Sequence, residues 1–480
     1  MDANSTPLVL RRSLLSAATG LAIAATGRSR PASASLGREY MLAAFPSNAP
    51  LVGGGRPHTS VWTYDGSVPG PVLRVRQGEP VRIVVHNELD QDTTIHWHGI
   101  RLPIAMDGVP GISQPPIRPG ESFVYAFTPP DAGTFWYHPH ANTLEQLGRG
   151  LAGPLIVEEM EPPPVDRELI WMIMDWRLGA NAQIEPGFGN RMEAAMAGRI
   201  GNTVTISGIV PSDEPVLTGE RVRVRLINAA LARIIALRFE GHRPVVVAVD
   251  GQPCDPHEPA NDRLVLGPAM RVDIVLDMQG ELGRRYAVVD DFYDGLGYTL
   301  THLAYDTMAS GGRRPTDMPL RLPRNPLPEP DLKSAEQREL VLQGGMMGGG
   351  GMGGAGDMQG MGRAVWAING MSMTGDGHAG IAPLAMLQTG RSYILRMRNE
   401  TAWWHPMHLH GHSFRVLRRN GATIPNSIWS DTVLMAPRDA VDVAFVADNP
   451  GDWMLHCHVT AHQTAGMMAI VRIGDIGGKQ

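Results

Sequence analysis

Short runs with apolar side chains at every second position recur along most of this chain. In the first third they are Val72–Arg76, Val81–Val85 and Ser122–Phe127. A period of two turns one face of each run inward and the other outward, the pattern of a half-buried strand. Gln77-Gly78-Glu79 and Arg118-Pro119-Gly120-Glu121 supply turns, and the region closes on Gly153–Val157. A linker, Glu161-Pro162-Pro163-Pro164, leads to a second set of strands: Glu168–Met174, Arg221–Asn228, Pro244–Val249 and Val272–Leu276. A Pro- and Arg-rich stretch from Gly311 to Pro330 leads to a third: Tyr393–Asn399, Phe414–Leu417, Val441–Phe445 and Met468–Ile473. In each region one strand runs from a Gly turn to an Asn, at Arg82–Asn87, Arg223–Asn228 and Leu395–Asn399. Regions one and three also end alike, on a Gly turn, a His cluster and a closing strand. The pattern predicts an all-β chain built from three copies of one β-sandwich, over residues 38–160, 165–320 and 335–475, with the chemistry in the outer two.

Composition agrees. The chain has 480 residues, 56 Gly and 39 Pro, which suits about three turn-rich domains. A net charge of −6 gives no electrostatic case for nucleic-acid binding. Near the N-terminus, Arg11-Arg12 precede a small-residue apolar run that ends at Thr26, and Pro31-Ala32-Ser33-Ala34 supplies a cleavage pattern. Residues 1–34 therefore read as a twin-arginine signal peptide, predicting a folded protein exported to the periplasm. No other stretch approaches the roughly 20 apolar residues of a membrane span. Of the two cysteines, Cys254 reads as a lone buried thiol, because Cys457 has other obligations.

Cys457 lies in His456-Cys457-His458, with His462 and Met467 close behind. Three further clusters are His96-Trp97-His98, His138-Pro139-His140 and His405-Pro406-Met407-His408-Leu409-His410. Ten of the seventeen histidines fall in these four places. His86 and His412 stand outside the matching spacing, and His242, His257 and His302 are scattered singly. On a strand, residues i and i+2 share a face, so each His-x-His offers two neighbouring imidazoles. Four pairs give eight, enough for a small group of metal ions with open positions. Imidazole suits copper, and Cys with Met favours it further. His405, Cys457 and His462 remain for a separate blue-copper site with Met467 as the weak axial ligand. Met468 must face the other way.

Taken together, the four motifs resemble the copper signatures of the three-domain multicopper oxidases, the laccase-like group, over essentially the whole mature chain. The resemblance implies three cupredoxin-like Greek-key sandwiches and four copper ions. Type 1 copper would be held by His405, Cys457, His462 and Met467, and type 2 by His96 and His408. One type 3 ion would take His98, His138 and His458, the other His140, His410 and His456. It also implies that electrons from a small reductant pass through Cys457 to His456 and His458, and that dioxygen is reduced to water. Asp107 matches an acidic position of the family that supports the cluster and delivers protons. Asp431 is a weaker candidate for a supporting role. Many bacterial members have Glu after the last type 1 His; here Gln463 stands there and cannot relay a proton as a carboxylate does.

Gly344 to Gly362 holds eleven Gly and five Met (Met346, Met347, Met352, Met358, Met361), with Met371 and Met373 following. Such a Gly content predicts a mobile loop, and its thioethers suit extra Cu(I). The resemblance extends here, since periplasmic cuprous oxidases carry a Met-rich insert at a similar place. The expected reaction is oxidation of Cu(I), phenols or both by dioxygen. The alternative is a periplasmic copper-binding protein for copper tolerance and homeostasis, without turnover.

Overall fold

The computed structural model describes residues 38–309, 320–346, 365–375 and 380–475. The signal-peptide reading, half of the second linker and four methionines of the Met-rich run (Met347, Met352, Met358, Met361) lie outside the described residues.

Three parallel strand pairings set the architecture. Residues 38–44 lie beside 81–87, 167–173 beside 222–228, and 336–342 beside 393–399. Each pairing ends on an asparagine, with Ala44 opposite Asn87, Ile173 opposite Asn228 and Leu342 opposite Asn399. On their other side these strands pair antiparallel with Ser122–Phe127, Arg271–Asp277 and Ala440–Val446. The second sheet of each region also repeats one order. In region one it runs Leu73–Arg76, Gly153–Glu158, Gly133–His138, His96–His98. In region two it runs Glu214–Thr218, Tyr298–Ala309, Arg285–Asp290, Ile235–Phe239, with Leu264–Leu266 added. In region three it runs Ala385–Gln388, Met468–Gly474, Gly451–Cys457, His405–Leu409, with Thr432–Met435 added. The His-bearing strands of the outer regions thus have counterparts in region two that carry no His at all.

The three asparagines explain why the repeat is visible in sequence. Each is buried and locks the turn after its strand. The Asn228 amide donates to the carbonyls of Arg233 and Leu266, both at 2.9 Å, and its oxygen accepts from the Ala230 N–H at 3.1 Å. Asn87 does the same with Gln91, Ile117 and Leu89, and Asn399 with Trp403, Ala436 and Thr401. Asn228→Ala leaves two carbonyls and one N–H unpaired, at about 1–3 kcal/mol each where water cannot enter. We expect its thermal midpoint to fall by several degrees in calorimetry, with no change in metal content; an unchanged midpoint would show that the turn holds without the side chain.

Regions one and three share one continuous apolar core, from Leu42 to Ile473, while region two packs largely around its own, with Trp171, Val224 and Ile274. A fully buried Val or Leu contributes about 1.5–3 kcal/mol, so the shared core holds the outer regions face to face. Three short helices, α1 (Thr143–Gly148), α2 (Arg191–Ala194) and α3 (Thr460–Thr464), one from each region, meet near the end of the Cys457 strand.

Candidate metal centre

Strand register brings the histidines together. His96 faces His138 across one antiparallel pair, and His408 faces His456 across another, with Met407 opposite Cys457. Only His96–His98 lies wholly within a strand. The others end at His138, Leu409 and Cys457, so His140, His410 and His458 lie just past a strand end. The expectation of two imidazoles on one strand face therefore holds for the first pair alone. Elsewhere the chain leaves the ladder between the two histidines, which frees the second ring to meet a partner from the other region. All ten are at most 2% exposed.

His405, Cys457 and His462 form a group of their own. Cys457 Sγ lies 3.4 Å from His405 Nδ1 and 3.6 Å from His462 Nδ1, and the two nitrogens are 3.1 Å apart. The outer nitrogens are both held: His405 Nε2 by the Thr401 hydroxyl at 2.9 Å, and His462 Nε2 donating to the Met196 carbonyl at 2.7 Å. Such outer contacts fix ring orientation and tautomer. Trp366 packs on both rings, centroids 5.0 and 4.5 Å away, and donates its N–H to the Ala194 carbonyl. Met467 is fully buried in the same core as Cys457, and its carbonyl accepts the Cys457 N–H. Met468 packs in a separate cluster with Met373 and Met454, on the opposite side, as alternation requires. Burial pushes the Cys457 thiol up, so a metal ion must displace its proton to bind.

The other eight imidazoles crowd between regions one and three. His96 stacks on His410 at 3.9 Å and His98 on His408 at 3.8 Å. Burial, followed by neighbouring rings, drives the pKa of His98, His138, His140, His410 and His458 well below the ordinary value. His456 and His408 shift the same way. These shifts favour the neutral ring in those seven, with one lone pair each to offer. The lone pairs point inward. His410 Nδ1 is hydrogen-bonded to the Asp107 carboxylate at 2.8 Å and His456 Nδ1 donates to the Cys457 carbonyl at 3.0 Å, which leaves their Nε2 atoms as acceptors facing each other 3.1 Å apart. His138 and His458 oppose their Nε2 atoms at 3.4 Å. His96 Nε2, His408 Nε2 and both nitrogens of His140 are buried without a partner. Facing lone pairs repel unless an electron-pair acceptor lies between them, so the donor set fits bound metal ions.

Two aspartates hold this arrangement crosswise. His96 Nδ1 donates to the main-chain carbonyl of Asp107 at 2.8 Å, while the Asp107 carboxylate reaches His410 in region three. His408 Nδ1 donates to the main-chain carbonyl of Asp431 at 2.9 Å, while the Asp431 carboxylate reaches His98 in region one at 3.2 Å. Gly108, at a positive φ, lets the Asp107 carbonyl tuck under His96, since a Cβ there would strike the Ile95 carbonyl. Burial alone would raise the Asp431 carboxyl, but Arg271 outweighs it and holds the group well below the usual carboxylate range. Asp431 is thus as closely placed as Asp107, and the weaker standing it has in the sequence is corrected by geometry. Thr401, Trp366, Arg271 and the Met196 carbonyl had no sequence signal. Met196 contributes only main chain, and the others come from segments outside the His motifs.

The comparisons agree with this geometry. Three profiles, each described as multicopper oxidase, match residues 49–162, 168–307 and 357–475. The fold superposes on a multi-copper oxidase from Pseudomonas thermotolerans with a TM-score of 0.81 and 37% identity, over 91% of this chain and 99% of that one. This chain belongs to the multicopper oxidase family. It is also 29% identical to multicopper oxidase MmcO of Mycobacterium tuberculosis, over 93% of this chain and 89% of that protein. Copper resistance protein A of Escherichia coli is 31% identical over 53% of this chain and 48% of its own length. As a multicopper oxidase the protein is a copper-dependent oxidoreductase with dioxygen as acceptor, which accounts for the laccase-like motifs.

The remaining residues singled out in the sequence take lesser places. Cys254 is free and buried, its thiol pushed up to about 12 by burial. His412 is buried against Trp453 and Phe445, outside the metal-compatible groups. Gln463 is buried on α3 beside His462. Gly344 is not part of a loop: it ends the strand Glu336–Gly344 and pairs with Trp366, and Met373 is core. Among the described residues no helix is long and apolar enough to cross a membrane.

Proposed function

We propose that this oxidase takes electrons from Cu(I) docked on exposed thioethers beside His462, and reduces dioxygen to water at the eight-imidazole cluster. One observation carries the choice of donor. Met192, Met196 and Met346 are 57%, 39% and 42% exposed, although methionine is ordinarily a core residue. Met196 itself supplies the carbonyl that caps His462. Met192 lies on α2 and Met196 two residues past its end, and the Met346 N–H donates to the Ala195 carbonyl at 2.9 Å. Soft thioethers favour Cu(I). Met346 is also the first methionine of the Met-rich run in the sequence. The partial likeness to a copper resistance protein supports the same reading, as does an exported location for the folded protein, suggested by Arg11-Arg12.

The ligand assignment rests on the donor set described above. His405, Cys457, His462 and Met467 hold type 1 copper, and His96 and His408 hold type 2. His98, His138 and His458 hold one type 3 ion, and His140, His410 and His456 the other. Bound there, copper ions would supply one-electron acceptance at the first site and four-electron reduction of dioxygen at the cluster. The protein's part is to carry and steer. The Met196 carbonyl and His462 Nε2–H join donor to first site through one hydrogen bond. Cys457 joins that site to His456 and His458 through main chain. Asp107 fixes His410 and stands ready to pass a proton. The three sandwiches, at 38–160, 165–320 and 335–475, keep the cluster at the seam of the first and third.

A phenol is the second reading. A cleft of about 450 Å³, lined by Glu145, Phe188, Arg191, Val365, Thr374 and Thr464, opens between α1, α2 and α3, two residues along α3 from His462, and has room for an aromatic donor. Dioxygen uptake with Cu(I) and with a phenol separates the two. With Met192, Met196 and Met346 all changed to Leu, a near-isosteric swap, we expect the KM for Cu(I) to rise about tenfold or more, with the phenol reaction unchanged. Unchanged Cu(I) kinetics would remove the thioether site, and a copper-loaded wild type that consumed no dioxygen with either donor would favour the copper-binding protein without turnover.

A further inference from the structure

Region two contributes no imidazole to the cluster, yet it sends one side chain to it. Arg271, on the strand Arg271–Asp277, is fully buried. Its guanidinium grips the Asp431 carboxylate with two bonds, Nη1 to Oδ1 at 2.9 Å and Nη2 to Oδ2 at 2.5 Å. The rest of the fork is also bound. Nε donates to the Thr134 carbonyl of region one at 3.3 Å, and Nη1 donates to the Ala269 carbonyl at 3.2 Å and lies 3.4 Å from Asp250. Planar two-point pairing of this kind fixes a carboxylate in direction as well as in charge. The gripped Oδ1 is the atom that reaches both His98 Nε2 and His408 Nδ1, each at 3.2 Å. The Thr432 hydroxyl closes the group, donating to Asp431 Oδ1 at 2.7 Å and lying 3.1 Å from His408 Nδ1.

A second observation stands apart from the hydrogen bonds. Gly99, the residue after His98, has a φ of +86°, and a Cβ there would strike both the Arg271 Nη2 and the Asp431 Oδ2. The main chain beside His98 is kept bare where the fork passes. The matching position on the other half of the cluster differs. Asp107 anchors His96 and His410 in the same crossed manner, but among the described residues no Lys or Arg forms an ion pair with it. The Asp107 half shares the crossed aspartate but has neither this cation nor a counterpart of the Thr432 hydroxyl, since Gly108 follows Asp107.

We propose that Arg271 is a positioning residue for the type 2 copper side of the cluster. Through Asp431 it sets the orientation and tautomer of His408 and His98, so that His408 Nε2 and His98 Nδ1, both without a partner, aim inward. Region two therefore takes part in dioxygen chemistry by holding ligands it does not supply. Removing one partner of a buried ion pair leaves the other charge uncompensated, and loss of Arg271 removes the two-point grip that fixes the direction of the Asp431 carboxylate. The inference rests on the ligand assignment proposed above.

The test reads copper in the intact holoprotein. Arg271→Met, Arg271→Lys and Gly99→Ala are titrated with a copper chelator beside wild type. Type 1 copper is followed by its blue absorption and type 2 by its paramagnetic resonance signal. The expected result is type 2 retention weaker by about 10–100-fold in Arg271→Met, with type 1 retention unchanged in the same sample. Arg271→Lys, which keeps the charge but not the fork, falls between. Gly99→Ala loses type 2 copper with the arginine still present, and it decides the matter if Arg271→Met does not fold. Type 2 retention equal to wild type in Arg271→Met, or in both other variants if that one does not fold, overturns the proposal, as does parallel loss of both copper types, which marks general destabilisation. A wild type with no type 2 signal would instead break the ligand assignment.

Discussion

Cys457→Ser abolishes the blue absorption and lowers dioxygen uptake by more than about 100-fold, with either Cu(I) or a phenol as donor, while the protein still folds. The size follows from what the sulfur does. It is one corner of a buried three-atom group whose other two corners, His405 Nδ1 and His462 Nδ1, lie 3.4 and 3.6 Å away. Even the outer partners of a ligand cost about 10–100-fold when removed, so a ligand itself costs more. Serine offers a hard oxygen in place of a soft thiolate and cannot give the blue-copper site its character. The residue is also flanked on both sides by cluster histidines, so the change interrupts the covalent route between the two sites. Folding should survive. The swap is small, and the main-chain hydrogen bond to the sulfur, from the Val459 N–H at 3.4 Å, can pass to the hydroxyl. Metal analysis of the variant should find the cluster copper present and type 1 copper absent. A blue variant, or one with more than about a tenth of wild-type turnover, would mean that Cys457 is not the link.

Much of this was legible in the chain itself, and the reason is local. The strand from Arg221 to Asn228 shows in sequence because its alternation and terminal asparagine are properties of consecutive residues, and the structure repeats that hydrogen-bonding turn three times. The His clusters show for the same reason. What sequence could not give are contacts made by main chain across regions. His462 is capped by the carbonyl of Met196, which any residue could provide. His96 is anchored by the carbonyl of Asp107, so the side chain there hinted at only half of its part. Arg271 sits in an ordinary alternating strand, where a charged residue would normally face solvent. Its burial follows from the approach of all three regions, and no spacing encodes that. The Gly-rich run misled at its edge. Gly344 counts toward low complexity, yet its backbone pairs with Trp366 and helps place the indole that packs on the His405 and His462 imidazoles.

The crossed aspartates lead to the second large effect. Asp107→Asn lowers the rate at which the reduced enzyme is reoxidised by dioxygen about 100-fold, the scale of one lost proton-transfer group, and leaves type 1 reduction by substrate unchanged. Asparagine keeps the size of the side chain and one acceptor oxygen for His410 Nδ1, and the main-chain carbonyl to His96 is untouched, so the ligands stay in place. What is removed is the ability to take up and release a proton at a group in contact with the cluster. The structure leaves few substitutes. Gln463 has no carboxylate, and Asp431 is pinned as an anion by Arg271. Among the described residues no Lys or Arg forms an ion pair with Asp107, so of the two crossed carboxylates it is the one not gripped by a fixed cation. Rapid mixing of the fully reduced variant with dioxygen, followed through the return of the blue colour, measures the step directly. Asp107→Ala, which loses both anchor and proton group, should be slower still and should also lose cluster copper. If Asp107→Asn reoxidises as fast as wild type, the carboxylate serves only to hold His410, and protons reach the cluster by a route that does not pass through it.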